Sequence, residues 1–282
     1  MGIKMQRNEN VITSAQNQYV SLARSLGDRK QRQKQRMYRM DGVKLFCEAA
    51  SRGVTPRFVL LRDGMETDIF DKAAQLYKID ADAVDCPCFT VASYVFDKLS
   101  EENAPEGIIC VMPYDEERHK ELGGGDVSVS ESENVLLLES VRDPQNVGAI
   151  LRVAAAFSVD RIIMSRDCAD IYNSKAVRAS MGALFSLKID RVNSIVDAID
   201  SLRASGRRVF GAALDDRAQR LGVLEIKRGD CVLIGNEGHG IDADTLAACS
   251  ESVYIPMSDG VESLNAATAA AVLAWEFFGG NI

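Results

Sequence analysis

Residues 134–166 read NVLLLESVRDPQNVGAILRVAAAFSVDRIIMSR, and this stretch decides the fold. The apolar run at 135–138 predicts a buried strand, because strands covered on both faces need no polar alternation. Asp143 and Pro144 end the strand, and the apolar spacing that follows predicts an amphipathic helix. A second apolar run at 161–165 predicts another strand. Strand, helix and strand in this order are typical of an α/β sheet.

The same alternation continues to the C-terminus. Apolar runs predict strands within 208–214, 230–236 and 252–257, and helical patterns occupy 173–185, 194–206, 241–249 and 263–278. Apolar strands separated by amphipathic helices predict a mostly parallel sheet that is covered on both faces.

Upstream, mixed helical and strand patterns indicate a smaller α/β domain of about a hundred residues. The stretch PYDEERHKELGGGDVSVSESEN between them is acidic and rich in Gly and Ser, which is linker composition. We therefore predict a domain at 1–112, a linker at 113–133 and a second domain at 134–282.

Composition excludes several classes of protein. The 282 residues are 46% hydrophobic and 26% charged, as in soluble globular proteins. No apolar run approaches the ~18 residues of a membrane span, and the N-terminus resembles neither a signal peptide nor a myristoylation motif. Seven cysteines without a CxxC pair favour a reduced cytoplasm. The two histidines have no metal-ligand spacing to a cysteine, so we predict no metal site.

The net charge of −8 conceals a basic segment at 21–40, which carries seven Lys and Arg residues and one Asp. Such a segment is either a solvated helix face or an arm that contacts phosphates. Our candidates for RNA contact are Arg29, Lys30, Arg32, Lys34 and Arg36.

Three polar or glycine-containing loops follow strands of the predicted sheet: ESVRDPQNVGAILR, LIGNEGHGI and SDGVESLN. Ligands of such sheets bind beyond the carboxyl ends of the strands. Each loop alone has a structural explanation, since Asn146 and Ser263 could be helix N-caps and the glycines could form a tight turn. Their occurrence together favours one shared site.

These motifs resemble the three ordered motifs of the SpoU (TrmH-like) branch of the SPOUT RNA methyltransferases. The resemblance covers roughly residues 134–278. The stretches ITSAQNQYVSLARSL and RMYRMDGVKLFCEA resemble the opening of an L30e-like RNA-binding domain that is often fused to these enzymes. The expected fold is thus a knotted, mostly parallel α/β SPOUT domain, with a deep trefoil knot, preceded by a smaller L30e-like α/β domain.

The resemblance implies that S-adenosyl-L-methionine binds at the knot. It places the cofactor against Gly235, Ile255 and Leu264, with Asn236 and Met257 close by, and residues 212–214 lining the pocket. The chain departs from the family pattern at Ser158, where many relatives have Gly, and at Ala266, where many have a β-branched residue. Both residues are small, so neither change endangers the site.

The implied reaction is methyl transfer to a ribose 2′-hydroxyl of RNA. Arg152 is by resemblance the catalytic arginine, and because a guanidinium holds its proton at neutral pH we favour phosphate binding over a role as base. Asn146 would position Arg152 or the ribose, and Glu237 would fix the knot loop. Ser263 and Asn265 would hydrogen-bond the ribose or the arginine.

The resemblance also implies a homodimer formed through the C-terminal domain, and its fused domain favours ribosomal RNA of the 23S type. The alternatives are a transfer RNA substrate, a non-catalytic RNA-binding protein and a Rossmann-type oxidoreductase. The last would need a G-x-G-x-x-G after the first strand, which SVRDPQNVGAIL does not supply.

Overall fold

A computed structural model describes residues 6–80, 84–102, 104–124, 127–216, 218–258, 260 and 263–279. Within it the chain divides into two compact units, one of residues 1–114 with 172–185, the other of residues 115–171 with 186–282. In the described ranges, no helix is long and apolar enough to cross a membrane.

The first unit is built on a five-stranded sheet with the order β1-β4-β3-β5-β2, counted over the described residues. Neighbours among β1, β4 and β3 pair in parallel, whereas β5 runs antiparallel to β3 and β2. Its strands are β1 (Gln6–Ile12), β2 (Met37–Asp41), β3 (Phe58–Arg62), β4 (Pro87–Val91) and β5 (Ile108–Pro113). Its helices are α1 (Gln18–Ser25), α2 (Arg29–Gln35), α3 (Val43–Ser51), α4 (Glu66–Tyr77) and α5 (Ser93–Phe96).

The second unit is built on a sheet with the order β11-β13-β10-β12-β7-β8-β9-β6, again over the described residues. Its strands are β6 (His119–Leu122), β7 (Val135–Leu138), β8 (Arg161–Ser165), β9 (Lys188–Val192), β10 (Val209–Ala212), β11 (Gln219–Arg220), β12 (Cys231–Ile234) and β13 (Glu251–Tyr254). Its helices are α6 (Pro144–Ala156), α8 (Ile195–Ala204), α9 (Ala243–Ala248) and α10 (Ala266–Phe278).

The strand pairs of this second sheet are parallel, which confirms the predicted mostly parallel α/β fold. The central strands β7, β8 and β12 are buried at every residue, which explains the unbroken apolar sequences of β7 and β12 and the apolar centre of β8. Full burial of one such side chain stabilises the fold by about 1.5–3 kcal/mol. These strands therefore hold the rigid platform from which the loops project.

The predicted linker contains an ordered strand. Residues 119–122 form β6, which pairs in parallel with β9 at the edge of the second sheet, and Val127 is buried in the core of that unit. The sequence HKEL shows no apolar pattern because an edge strand is only partly covered. Residues 119–122 of the predicted linker therefore belong to the sheet of the second unit.

The structure also divides the chain differently at residues 172–185, which we had placed in the second domain. This segment holds α7 (Ser174–Ser180) and a 3₁₀ turn (Ala183–Phe185), and it groups with the first unit. The ring of Tyr172 stacks on that of Tyr114 at 3.9 Å, and Gly182 lies so close to Glu48 that a Cβ would come within 2.8 Å. The amino-acid sequence gives no sign that this segment packs with the first unit, because its neighbours on both sides belong to the second.

Candidate active site

The three loops singled out in the sequence follow β7, β12 and β13. Because these strands are parallel members of one sheet, their carboxyl ends lie at the same edge. Helices α6 and α10, which begin in the first and third loops, pack against each other. The buried residues of the two helices include Gly148 and Ala154 on α6 and Ala270 and Ala274 on α10, and such small side chains allow close packing.

The N-caps of α6 and α10 are not the residues, Asn146 and Ser263, that the sequence offered as caps. Asp143 is the N-cap of α6, where its carboxylate accepts from Gln145 N at 2.8 Å, and Pro144 occupies the first turn. Asn265, not Ser263, is the N-cap of α10 and accepts from Ala267 N at 2.9 Å. Asn146 is thus released from capping and lies inside the first turn of its helix.

A chain of side-chain hydrogen bonds joins the three loops. Asn146 Nδ2 donates to Glu237 Oε1 at 2.9 Å, and Asn265 Nδ2 donates to Asn146 Oδ1 at 3.0 Å. These bonds fix the orientation of both amides, because each amide oxygen accepts a hydrogen bond and each amide nitrogen donates one. The structure therefore brings together three of the five predicted catalytic residues.

Glu237 is held in its ionised form. Burial by itself would raise its pKa, but hydrogen bonds from Asn146 and from the backbone N–H groups of Arg142 and Asp143 outweigh burial and lower the pKa below the ordinary value. A carboxylate that stays charged at neutral pH acts as an acceptor rather than as an acid. Its position therefore fits a role in orienting Asn146.

The loop after β12 folds back tightly on itself. Asn236 and Gly240 exchange two backbone hydrogen bonds of 2.9 and 3.1 Å. A Cβ at Gly235 would lie 2.4 Å from the carbonyl carbon of Gly240, so only glycine fits here. Asn236 Oδ1 accepts from Gly238 N at 2.8 Å, which holds the turn from inside.

Two residues that the sequence reading missed connect this loop to the end of β7. Glu139 Oε2 accepts from Asp242 N at 3.0 Å and Oε1 accepts from the hydroxyl of Thr245. Burial raises the pKa of Glu139, and the hydrogen bonds only partly offset this. Ser140 O accepts from Asn236 Nδ2 at 2.7 Å. Their position gave a signal in the sequence, because Glu139 and Ser140 are polar residues that directly follow a buried strand.

The remaining predicted residues lie nearby in sequence but outside the hydrogen-bonded cluster. Arg152 is exposed on α6, and within the described ranges its guanidinium has no hydrogen-bond or ion-pair partner. Ser263 is exposed and is not bonded to the described members of the cluster. Among the cofactor candidates, Ile255 and Leu264 are half-buried and Met257 is 40% exposed. Among the residues that the structure describes, no three His, Cys, Asp or Glu side chains are grouped so that they could hold a metal ion.

The basic segment forms α2 and its flanks. Arg29, Lys30 and Lys34 are exposed, and Arg36 lies over the ring of Tyr114 at 4.8 Å. Arg32 differs from these because it is only 3% exposed and donates to the carbonyl oxygens of Leu26 and Gly27, both at 2.9 Å. Arg32 therefore stabilises the fold and is not available as the RNA contact that we predicted.

Comparison with known proteins gives a consistent result. Residues 133–275 match the SpoU rRNA Methylase family, and residues 17–110 match the MRM3-like substrate binding domain. The chain is 30% identical over 273 residues to the 23S rRNA (guanosine(2553)-2'-O)-methyltransferase RlmP of Bacillus subtilis, covering 95% of this chain and 99% of the relative.

A second relative is the 23S rRNA (uridine(2479)-2'-O)-methyltransferase of Streptomyces viridochromogenes, 29% identical, with 94% of this chain and 90% of the relative covered. The solved structure of the SpoU methyltransferase AviRb from that organism, in complex with AdoMet, superposes with a TM-score of 0.74 at 26% identity, covering 94% of this chain and 98% of that chain. The resemblance seen in the motifs is confirmed, and the chain belongs to the SpoU rRNA methylase family.

Proposed function

We propose that this protein transfers the methyl group of S-adenosyl-L-methionine to a ribose 2′-hydroxyl of ribosomal RNA. The observation that carries the proposal is the hydrogen-bonded chain from Asn265 through Asn146 to Glu237, at the carboxyl edge of the sheet. Its supports are the family membership and two relatives, each named as a 23S rRNA 2'-O-methyltransferase.

The residues at this edge fit the cofactor. The close contact of Gly235 with the backbone of Gly240 holds the loop at 235–240 in one tight conformation, and the half-buried Ile255 and Leu264 offer apolar surface to an adenine. Gly235, Asn236, Ile255, Met257 and Leu264 would hold it. When bound, the cofactor supplies an electrophilic methyl group on a sulfonium.

The chain's own residues then have to align the acceptor oxygen and promote the loss of its proton to water. Asn146 and Asn265 each have one amide N–H not used within the described residues, and these hydrogens can bind the ribose hydroxyls. The ionised Glu237 holds Asn146 in that orientation. Ser263, exposed two residues before the N-cap of α10, offers one more hydroxyl to the ribose.

Arg152 serves in this scheme as a clamp for the phosphate beside the target ribose. Its exposed guanidinium is unpaired within the described part of the chain, so it can donate two parallel hydrogen bonds to the oxygens of a phosphate. A positive charge there lowers the pKa of the neighbouring hydroxyl. Replacement by lysine removes the planar fork, and full activity of Arg152→Lys would contradict the clamp.

The test is methyl transfer from labelled S-adenosyl-L-methionine into total RNA from cells lacking this protein, separated into 23S, 16S and transfer RNA. We expect label in 23S RNA, lost in Arg152→Ala and retained in Arg228→Ala, a matched exposed arginine that precedes β12 at the opposite end of the strand. Label in transfer RNA would establish the alternative substrate. No label, with the cofactor bound, would favour a non-catalytic RNA-binding protein.

We further propose that the first unit, with an L30e-like fold, binds structured RNA. The exposed Arg29, Lys30 and Lys34 supply positive charge on one short helix, and shape and phosphate contacts are the usual way in which structured RNA is bound. RNA affinity that does not fall with added salt would contradict this role.

We also propose that the second unit forms a homodimer. Val272 and Trp275, which are 37% and 59% exposed, lie three residues apart on α10, and the ring of Trp275 lies 5.8 Å from that of Phe157. Residues three apart share a helix face, so these side chains form one apolar patch. Sedimentation as a monomer at micromolar concentration would contradict the dimer.

The trefoil knot and the cytoplasmic location are the remaining proposals. The tightly folded loop at 235–240 and the packing of α10 against α6 support a knot. Stretching the chain from both ends would then give an unfolded length short of that for 282 free residues, and a full length would refute the knot. All seven cysteines are free thiols, which supports a reducing compartment; recovery from another fraction of the cell would contradict it.

A further inference from the structure

Ser140, the second residue after β7, has an unusual backbone conformation. Its φ is +55°, in the left-handed region that non-glycine residues rarely adopt. Such a conformation costs free energy and persists only where surrounding contacts impose it.

The contacts that hold Ser140 come from the last residue of β8 and from the loop after it. The hydroxyl of Ser140 donates to Asp167 Oδ2 at 2.5 Å, and its backbone N–H donates to Ser165 Oγ at 2.8 Å. The hydroxyl of Ser165 in turn donates to Asp167 Oδ1 at 2.6 Å. One carboxylate thus binds both serines, and the turn is closed on two sides.

The turn is also joined to the proposed cofactor loop. With its side chain bound to Asp167, Ser140 directs its carbonyl oxygen at Asn236 Nδ2, 2.7 Å away. The other amide atom of Asn236, Oδ1, holds the backbone of Gly238. A continuous path of three hydrogen bonds therefore runs from Asp167 to the loop that closes on Gly235.

Asp167 has one further partner, the guanidinium of Arg142 at 3.3 Å, and this pair is largely exposed. An exposed ion pair contributes little, whereas hydrogen bonds from hydroxyls to a carboxylate are short and directional. Burial would raise the pKa of Asp167, but its bonds to Ser140, Ser165 and Arg142 lower it, so the carboxylate is charged at neutral pH.

We propose that Asp167 is a positioning residue, which clamps Ser140 in its left-handed turn and so holds Asn236 and the 235–240 loop in the form that binds S-adenosyl-L-methionine. The inference rests on the proposed cofactor site, and it adds a residue from the loop after β8 that acts through its bond to Ser140. It requires that loss of the Asp167 carboxylate weaken cofactor affinity through Ser140 and not through Arg142.

The test is calorimetric binding of S-adenosylhomocysteine to the full chain without RNA, with the melting temperature of the unliganded protein measured beside it. We expect Asp167→Asn and Ser140→Ala each to weaken binding about tenfold, and the double variant no more than either alone, because both break one path. Arg142→Ala should bind as the wild type does. Asp160→Asn, which removes a carboxylate bonded to Asn134 N at the other end of the sheet, is the matched control.

Ser140→Gly covers the case in which Asp167→Asn does not fold, because glycine adopts the turn without strain but lacks the hydroxyl. We expect it to bind more tightly than Ser140→Ala and less tightly than the wild type. Unchanged affinity in Asp167→Asn, additive losses in the double variant, or an equal loss in Arg142→Ala would each overturn the inference. If the wild type itself binds no S-adenosylhomocysteine, the proposed function fails instead.

Discussion

Replacement of Gly235 by alanine is the most direct test of the cofactor loop. The added Cβ would lie 2.4 Å from Gly240 C, 2.5 Å from Gly240 O and 2.6 Å from Ile241 N. Carbon atoms pack at about 3.5–4.0 Å, so the two strands of the loop have to separate by roughly 1 Å. All three obstacles are backbone atoms, and no side-chain rotation relieves the contact.

The cost follows from what this separation breaks. The two backbone bonds between Asn236 and Gly240 are 2.9 and 3.1 Å long, and an added ångström takes both beyond hydrogen-bonding range. Each lost bond costs about 1 kcal/mol, and overpacking strain adds about 1–3 kcal/mol. We expect Gly235→Ala to lower the free energy of unfolding by about 3–5 kcal/mol and the melting temperature by roughly 6–20 °C.

Cofactor affinity should fall by at least about tenfold, because binding sites tolerate displacements of only about 0.5 Å. The assays are thermal unfolding and calorimetric titration with S-adenosylhomocysteine. Gly238→Ala is the control in the same loop, since its Cβ would meet only Asn236 Oδ1 at 3.4 Å, and Gly123→Ala is a control in open space. Wild-type stability and affinity in Gly235→Ala would refute the reasoning.

Three further outcomes are expected. Burial would raise the pKa of Glu133, but its two cationic partners lower it from 4.5 to about 2, so its stabilising contribution is complete above pH 4.5 and lost as the pH falls towards 2. Glu133→Gln should therefore lower the free energy of unfolding by about 3 kcal/mol at pH 7, and by progressively less in urea unfolding at lower pH. A variant with alanine at Arg29, Lys30 and Lys34 loses three exposed cations. The slope of log RNA affinity against log salt concentration should become less steep by about 2–3 in this variant, whereas the control Lys98→Ala should keep the wild-type slope. Trp275→Glu should sediment as a monomer and Glu276→Ala as a dimer, because only the former places a charge on the apolar patch.

Much of the fold was predictable because burial leaves a direct mark on composition. The strands at 135–138 and 231–234 are apolar throughout because both faces are covered, and helices between them follow from spacing. β6 escaped notice because an edge strand four residues long has little apolar surface to reveal it. The transfer of residues 172–185 to the first unit depends on contacts between distant parts of the chain, for which a single sequence holds no signal.

Charge proved a weaker guide than apolar pattern. Arg32 looks like Arg29, Lys30 and Lys34 in the sequence. It turns inward while those three stay exposed, because two carbonyl oxygens at 2.9 Å accept from its guanidinium. A buried cation is tolerated when its donors are satisfied, and the positions of backbone carbonyls are a property of the folded chain. The same applies to Ser140, whose left-handed turn depends on a carboxylate 27 residues away.

The site itself shows why motifs that are ambiguous singly become informative together. Asn146 and Asn265 are 119 residues apart, and each has an ordinary explanation as a residue at a helix start. A cap needs only its own helix, so Asn265 satisfies that explanation completely through Ala267 N. Capping does not account for its amide nitrogen, which reaches the other helix, or for the ionised Glu237 beyond it. Because a purely structural cap gains nothing from a chain of oriented amides ending at a charged carboxylate, the arrangement favours a polar ligand at this edge of the sheet.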